Sequence, residues 1–344
     1  MTIPFCKPIV PDFVAVESWL QGGLKSGHLS NFGKLYHLAC NLLKLALKIN
    51  SDKDIILTSS GHTALMAAYS ALNVKRIVMP SFTFEATRAA ALLQGMEVEL
   101  VDVSPSSGCI GVETLSKVPL DSYDAVVAVC ALSTIPDLES LQDFCIRYGK
   151  KLIVDGAPSY GTEYVYNYGD AYCLSFHATK TLPIGEGGAV IINKEHHDAV
   201  KQYISFGFDE NKEVKMVGIN GKISEYSCAI LVDMIHKANK YITTRRTNLI
   251  EYAMYLQYFI PTSLFIDTVY CSLPIFLPDK KQAEKSLRDL NDNGVQALQY
   301  YRPLDDSFPI SKSLYERNIC LPIHHGVTSK DIKFISNIIL DNVS

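Results

Sequence analysis

The chain has 344 residues, 48% of them hydrophobic, with 32 lysines and arginines against 36 aspartates and glutamates, a net charge of −4. Such a length suits one large domain plus a smaller one, and the apolar share is enough for a sizeable core and excludes long disorder. No basic run supports nucleic-acid binding, and no apolar run reaches the length that spans a membrane. The nine cysteines are scattered without CxxC spacing, several of them in apolar runs. Their odd number and the lack of a signal peptide give the expectation of core thiols in a reducing cytoplasm.

The first fifty residues read as helix-rich, with apolar residues at helical spacing over 32–49. A short strand follows at 55–58, then the turn Ser59-Ser60-Gly61-His62-Thr63 and a helix at 64–72. The pattern repeats: strand 76–79, stopped by Pro80, helix 83–94, strand 97–101, strand 125–131, helix 138–148, and strand 151–154 ending in Asp155. Strands alternating with helices imply a mostly parallel sheet covered on both faces, with ligands at the carboxyl ends of the strands. Residues 171–176 and 189–192 are further apolar runs. One or two long amphipathic helices occupy 224–259. Beyond them, strands at 270–276 and 295–300 flank a helix at 280–291, and a last helix covers 329–340. This is an α/β chain with a large domain over 1–245 and a smaller α+β domain over 246–344.

The segment Ser175-Phe176-His177-Ala178-Thr179-Lys180-Thr181-Leu182-Pro183-Ile184-Gly185-Glu186-Gly187-Gly188 joins two of the strand-like runs and carries one lysine. Partial burial there would lower the pKa of the amine and make it a nucleophile. Asp155, at a strand end, could hold a pyridine nitrogen protonated. An amine for a Schiff base and a carboxylate for the ring nitrogen are what pyridoxal phosphate needs. Taken alone the pair is equally a solvated lysine and a turn-capping aspartate. The Ser59 turn offers a helix N-terminus to a phosphate, with Gly61 allowing close approach, and is also readable as an ordinary serine cap. In Pro80-Ser81-Phe82-Thr83-Phe84-Glu85-Ala86-Thr87 either aromatic could stack on a planar ring or pack in the core, and spacing does not rank them. The pairs His196-His197 and His324-His325 lack a carboxylate or cysteine at ligand spacing, so no metal is expected. Gly185-Glu186-Gly187-Gly188 lacks the third glycine of a dinucleotide fingerprint.

Taken in order, these segments resemble the DegT/DnrJ/EryC1/StrS family of sugar aminotransferases over nearly the whole chain. They run from Ile3-Pro4-Phe5 and Leu29-Ser30-Asn31-Phe32-Gly33 through the motifs above to Gly218-Ile219-Asn220, Tyr300-Tyr301-Arg302-Pro303-Leu304 and Leu321-Pro322-Ile323-His324. The resemblance implies an aspartate-aminotransferase-like fold of type I and a cytoplasmic enzyme with pyridoxal 5'-phosphate. It would move an amino group, from glutamate, onto a 3-keto or 4-keto carbon of a nucleotide-linked 6-deoxysugar, for a surface polysaccharide such as O-antigen or a glycosylated metabolite. It further implies Lys180 as the Schiff-base and proton-shuttling residue and Asp155 as partner of the pyridinium. Ser175 would bind the phosphate with the backbone N–H groups of Gly61 and His62. Phe84 would stack on the ring, Asn220 would reach the phosphate of the neighbouring subunit in a homodimer with shared sites, and Tyr301 or residues 29–33 would touch substrate. Two positions depart from the family. His62 stands where threonine is usual, so a hydroxyl contact is lost unless Thr63 replaces it. Pro158 stands where glutamine or histidine is usual and has no side-chain donor. The competing readings are a dehydratase of the same fold, in which histidine replaces the lysine, and a non-catalytic relative that only binds cofactor or sugar.

Overall fold

The computed structural model describes residues 2–25, 27–260 and 268–343. Its central sheet has seven strands: β1 (Lys53–Thr58), β2 (Arg76–Pro80), β3 (Glu97–Val101), β4 (Ala125–Val129), β5 (Lys151–Asp155), β6 (Ala171–Ser175) and β7 (Gly188–Asn193). They lie in the order β1-β7-β6-β5-β4-β2-β3. The strands from β3 to β6 run parallel, and β7 lies antiparallel between β6 and β1. The mostly parallel sheet expected from the sequence is therefore present. Strands β4 and β6 are buried along their whole length, as unbroken apolar runs covered on both faces should be.

The helices are α1 (Phe13–Leu24), α2 (Lys34–Ala46), α3 (Gly61–Ala71), α4 (Glu85–Leu92), α5 (Val112–Leu115), α6 (Leu138–Tyr148), α7 (His197–Tyr203), α8 (Glu225–Leu256), α9 (Lys280–Asp292), α10 (Pro309–Arg317) and α11 (Ser329–Val343). Helix α6 occupies its expected range because both ends are written locally. Asp137 accepts from Ser140 N–H at 3.1 Å, and Gly149 closes the helix in the left-handed conformation at φ 63°. Helix α3 starts three residues earlier than expected, so Gly61 and His62 form its first turn.

The region 224–259 is one helix, α8, of 32 residues, about 48 Å long at the usual rise. Its first half packs Cys228, Leu231, Val232 and Met234 into the main core. Its second half packs Leu249, Tyr252 and Leu256 against a second core that includes Leu273, Ile275, Ile319, Leu321, Ile332 and Ile335. The second core covers a two-stranded antiparallel sheet, β8 (Leu273–Phe276) with β9 (Asn318–Leu321). The strand expected at 295–300 does not form. That segment makes single bridges, Val295 to Ile3 and Leu298 to Cys320. The partner of β8 is β9, which escapes notice in the sequence because four residues straight after a helix carry too little alternation to read.

One long-range contact fixes the start of α2. Gly33, its N-cap, has no side chain to offer. Glu225, 2% exposed, reaches across from the start of α8 and accepts from Leu35 N–H at 2.8 Å and Tyr36 N–H at 3.0 Å. A Cβ at residue 33 would come within 2.7 Å of that carboxylate, so the glycine makes room for the cap. Removing it leaves two buried donors unpaired, and Glu225→Ala is expected to destabilise the protein by about 3 kcal/mol. Glu225→Gln, which keeps one acceptor, should lose roughly half as much. Thermal unfolding of the two variants beside wild type checks the ranking.

Candidate active site

Several loops at the carboxyl ends of the strands converge on one cavity of about 540 Å³. The first wall is the turn after β1. Ser60 caps α3 by accepting from Thr63 N–H at 3.1 Å, and the Thr63 hydroxyl lies 3.1 Å from the Ser59 hydroxyl and 3.0 Å from that of Ser60. Thr63 is thus tied into the cap and does not replace the hydroxyl missing at His62. The turn sits hard against β6 and β7. A Cβ on Gly61 would lie 2.8 Å from Ser175 Cβ, and one on Gly188 would lie 2.4 Å from the Ser60 carbonyl oxygen. The two glycines let the N-terminus of α3 rest directly beside Ser175, with the N–H groups of its first turn free of intrahelical partners.

The second wall is the end of β5. Asp155 is buried, 6% exposed. The Thr87 hydroxyl donates to its Oδ2 at 2.7 Å and Ala157 N–H to its Oδ1 at 3.2 Å. No cation pairs with it among the described residues. Burial holds its carboxyl pKa above the ordinary range, against the pull of the Thr87 bond, the Ala157 amide, and Lys180 and His62. Thr87 lies within the motif around Phe84 but is not singled out by the sequence, because its contact spans 68 residues.

The third wall is the loop between β6 and β7. Phe176 N–H donates to Gly187 O at 2.8 Å, Ile184 N–H to Phe176 O at 2.9 Å and Ala178 N–H to Gly185 O at 2.9 Å. These bonds pinch the base of the loop, and fully buried Leu182 anchors it. Lys180 projects from it, half-buried, into the same cavity as Asp155, Ser175, Gly61 and His62. Among the described residues its amine has no carboxylate partner. Ser175 Oγ accepts from His177 N–H at 3.3 Å, which leaves the hydroxyl hydrogen available.

The aromatics separate cleanly. Phe82 is 1% exposed and packs with Val103, Leu132 and Leu314, while Phe84 is 60% exposed and lines the cavity. Tyr301 is the hinge between them, its ring 5.8 Å from Phe82 and 6.3 Å from Phe84. The far side of the cavity is formed by Phe5, Cys271, Ser272, Leu298 and Tyr300, none of them singled out from the sequence as site residues. Pro158 lines the cavity without a side-chain donor, and its carbonyl accepts from Cys271 Sγ at 3.5 Å.

Two further segments named from the sequence do not line this cavity. Asn220 is exposed, away from this cavity, and accepts from Lys222 Nζ at 2.8 Å. Residues 29–33 do not line it either, and Leu29 O instead receives Glu225 N–H at 3.0 Å. His197 Nδ1 lies 2.8 Å from Asp54, and His324 Nε2 lies 2.8 Å from Pro4 O. Among the described residues no group of three or more His, Cys, Asp or Glu side chains could hold a metal ion, and no helix is long and apolar enough to cross a membrane.

The raised pKa of Asp155 has a measurable sign. The folded state binds this proton more tightly than the unfolded chain, so stability falls as pH rises from the ordinary carboxylate value, about 3.9, through the raised folded value. Asp155→Asn keeps an acceptor for Thr87, gives up the one for Ala157 N–H, and removes that pH-dependent loss. Without added ligands, the melting temperature of the variant relative to wild type should therefore rise between pH 4 and pH 7. A difference between the two that does not change with pH would contradict this.

Residues 43–340 match the sequence profile of the DegT/DnrJ/EryC1/StrS aminotransferase family. A dTDP-4-amino-4,6-dideoxy-D-glucose transaminase of Shigella dysenteriae is 24% identical over 306 residues, covering 82% of this chain and 83% of the relative. A UDP-4-amino-4,6-dideoxy-N-acetyl-beta-L-altrosamine transaminase of Campylobacter jejuni is 26% identical over 317 residues, covering 83% and 84%. Among solved structures, Helicobacter pylori PseC, an aminotransferase of pseudoaminic acid biosynthesis, superposes with a TM-score of 0.88 at 21% identity, covering 100% of this chain and 99% of that one. The Bacillus subtilis protein NtdA, solved with bound cofactor PMP, gives a TM-score of 0.90 at 22% identity, covering 99% and 85%. The fold is that of the type I aminotransferases, and the chain belongs to the DegT/DnrJ/EryC1/StrS aminotransferase family.

Proposed function

We propose that this aminotransferase uses pyridoxal phosphate to move an amino group from glutamate onto a 3-keto or 4-keto carbon of a nucleotide-linked 6-deoxysugar. The observation that carries the reading is a single cavity holding Lys180, Asp155, Ser175 and the first turn of α3. The residues fit the cofactor. Asp155 is a buried carboxylate awaiting a cation, and the glycine-tight turn presents open N–H groups beside the Ser175 hydroxyl. His62 Nε2 is a buried nitrogen without a partner at the same wall.

Bound there, the cofactor supplies an electron sink that stabilises negative charge on the carbon next to nitrogen. The protein does the rest. Asp155 keeps the ring nitrogen protonated through a charge-assisted bond, with Thr87 fixing its orientation. Ser175 and the Gly61 and His62 N–H groups grip the phosphate, where the helix dipole favours an anion. Phe84 offers a ring face at the mouth of the cavity and Tyr301 holds that ring from behind. Lys180 would hold the cofactor through its amine, and the same amine would be placed to carry protons as general base and acid. A dehydratase of this fold would place histidine where Lys180 stands, and a mere binder would not need the lysine, so neither competing reading is favoured.

The working unit is a homodimer. Asn220 lies outside its own cavity on an exposed segment that also presents Phe206, Phe208, Val214 and Val217. That apolar face suits a two-fold interface, through which Asn220 reaches the phosphate of the second copy. Residues 1–245 form the cofactor-holding part and 246–344 the smaller part, joined within α8. The enzyme works in the cytoplasm and supplies an amino sugar for a surface polysaccharide such as O-antigen.

Adding pyridoxal phosphate to the purified protein should produce a visible absorbance band that glutamate bleaches, and Lys180→Ala should produce no band. A band indifferent to glutamate would remove glutamate as donor, and a band that survives Lys180→Ala would remove the role of the lysine. Shared sites are tested by mixing. Lys180→Ala and Asn220→Ala proteins, each impaired alone, should regain activity when refolded together, because one site of the mixed dimer is intact. No recovery in demonstrably mixed dimers would rule out the shared site.

A further inference from the structure

We propose that the imidazole of His62 is itself a phosphate ligand: its Nε2 donates to the cofactor phosphate in place of the hydroxyl that a threonine would present at this position. The inference rests on the pyridoxal-phosphate reading above. Three observations point the same way. Nε2 of His62 is buried and has no hydrogen-bond partner among the described residues, although the side chain lines the cavity that holds Asp155, Ser175 and Lys180. A buried nitrogen left unpaired is costly, and a ligand acceptor removes that cost.

The other hydroxyls of the turn are engaged with one another. Thr63 lies within hydrogen-bond reach of both Ser59 and Ser60, and Ser60 also accepts from Thr63 N–H as the helix cap. Turning Thr63 toward the cavity would break both hydroxyl contacts. Besides Ser60, which is engaged as the helix cap, the side-chain donors at this wall are Ser175 and His62. Ser175 Oγ already accepts from His177 N–H, so it can add one donated hydrogen. A phosphate dianion has three terminal oxygens and takes more donors than that, beyond the backbone N–H groups.

The imidazole is near enough to Asp155 to lower that carboxyl's pKa, but its backbone belongs to the α3 turn. His62 stands in the first turn of α3, and the neighbouring Gly61 is packed against Ser175. The ring nitrogen belongs with Asp155 at the end of β5, where Thr87 and Ala157 already occupy the carboxylate. A histidine rooted in the phosphate-facing turn compensates for the missing threonine hydroxyl and leaves the gap at Pro158 unfilled.

The test compares two probes, pyridoxal phosphate and pyridoxal, which lacks the phosphate, titrated into wild type, His62→Ala, His62→Thr and His62→Gln. His62→Ala should weaken pyridoxal phosphate by about tenfold or more, the loss of one charge-assisted bond, and leave pyridoxal unchanged. His62→Thr and His62→Gln, each with a side-chain donor, should recover most of the loss. The phosphorus-31 resonance of the bound cofactor should shift between wild type and His62→Thr, which also decides the case if His62→Ala fails to fold. Equal weakening of both probes would place the imidazole on the ring and overturn the proposal, as would unchanged affinity or an unmoved phosphorus resonance. A wild-type protein that binds no pyridoxal phosphate would instead defeat the underlying reading. Normal binding with an indifferent His62 defeats only this inference.

Discussion

A carboxylate buried at the end of a central strand, with no ion-pair partner among the described residues, is the constraint around which this site is arranged. Two hydrogen bonds orient Asp155 but neither neutralises it, and burial raises its proton affinity. Packing alone would favour an apolar residue there, since an isolated buried charge is among the most expensive features a fold can carry. A positively charged group placed beside this carboxylate would offset that cost. A cationic ring nitrogen is the partner that such a carboxylate selects.

The sheet topology explains why the other groups meet Asp155. In parallel strands the carboxyl ends fall along one edge, and β4 and β5 deliver Cys130 and Asp155 there. The lysine needs a different device. Strand β7 turns back antiparallel beside β6, so the loop between them projects from the same edge, with its base closed by three backbone bonds. β1, antiparallel to β7, brings the α3 turn to the same corner. Gly188 is where these pieces press together, which is why a side chain there would strike the Ser60 carbonyl. Backbone geometry thus builds this corner, and among the described residues Ser60, His62 and Ser175 add polar side chains to it.

Much of this was legible in the sequence, for identifiable reasons. Strands β2, β3 and β5 and helix α6 are bounded by proline, glycine or capping residues, signals that act locally. Asp155 and Lys180 stand out because each is a charged residue against an apolar run. What stayed hidden depends on contacts between distant segments. Phe82 and Phe84 lie on the same short motif, and only the folded chain puts one into the core and the other at the cavity mouth. The role of Gly33 follows from Glu225 in a helix far along the chain. The strand expected at 295–300 fails for a related reason. Its apolar residues are used to cover the cavity and to bridge Ile3 and Cys320, and pattern alone cannot distinguish that use from a sheet.

The cavity has two ends built by different rules, and this bears on how its specificity is set. One end is backbone, glycine and buried polar groups, where almost any substitution disturbs a close approach. The other is a surface of side chains, with Phe5 from the N-terminal segment, Cys271 and Ser272 from the approach to β8, and Leu298, Tyr300 and Tyr301 from the stretch before α10. These come from three separate segments that meet only in the folded chain. Phe5 and Tyr300 touch through their rings, 6.1 Å apart, and Tyr301 leans on Phe82 of the large sheet's loop. These contacts run between side chains, apart from the Cys271 thiol, which donates to the Pro158 carbonyl just after β5. Asp155 and Lys180 are thus placed by the sheet and its connecting loop, while the opposite wall is placed by side-chain packing between separate segments.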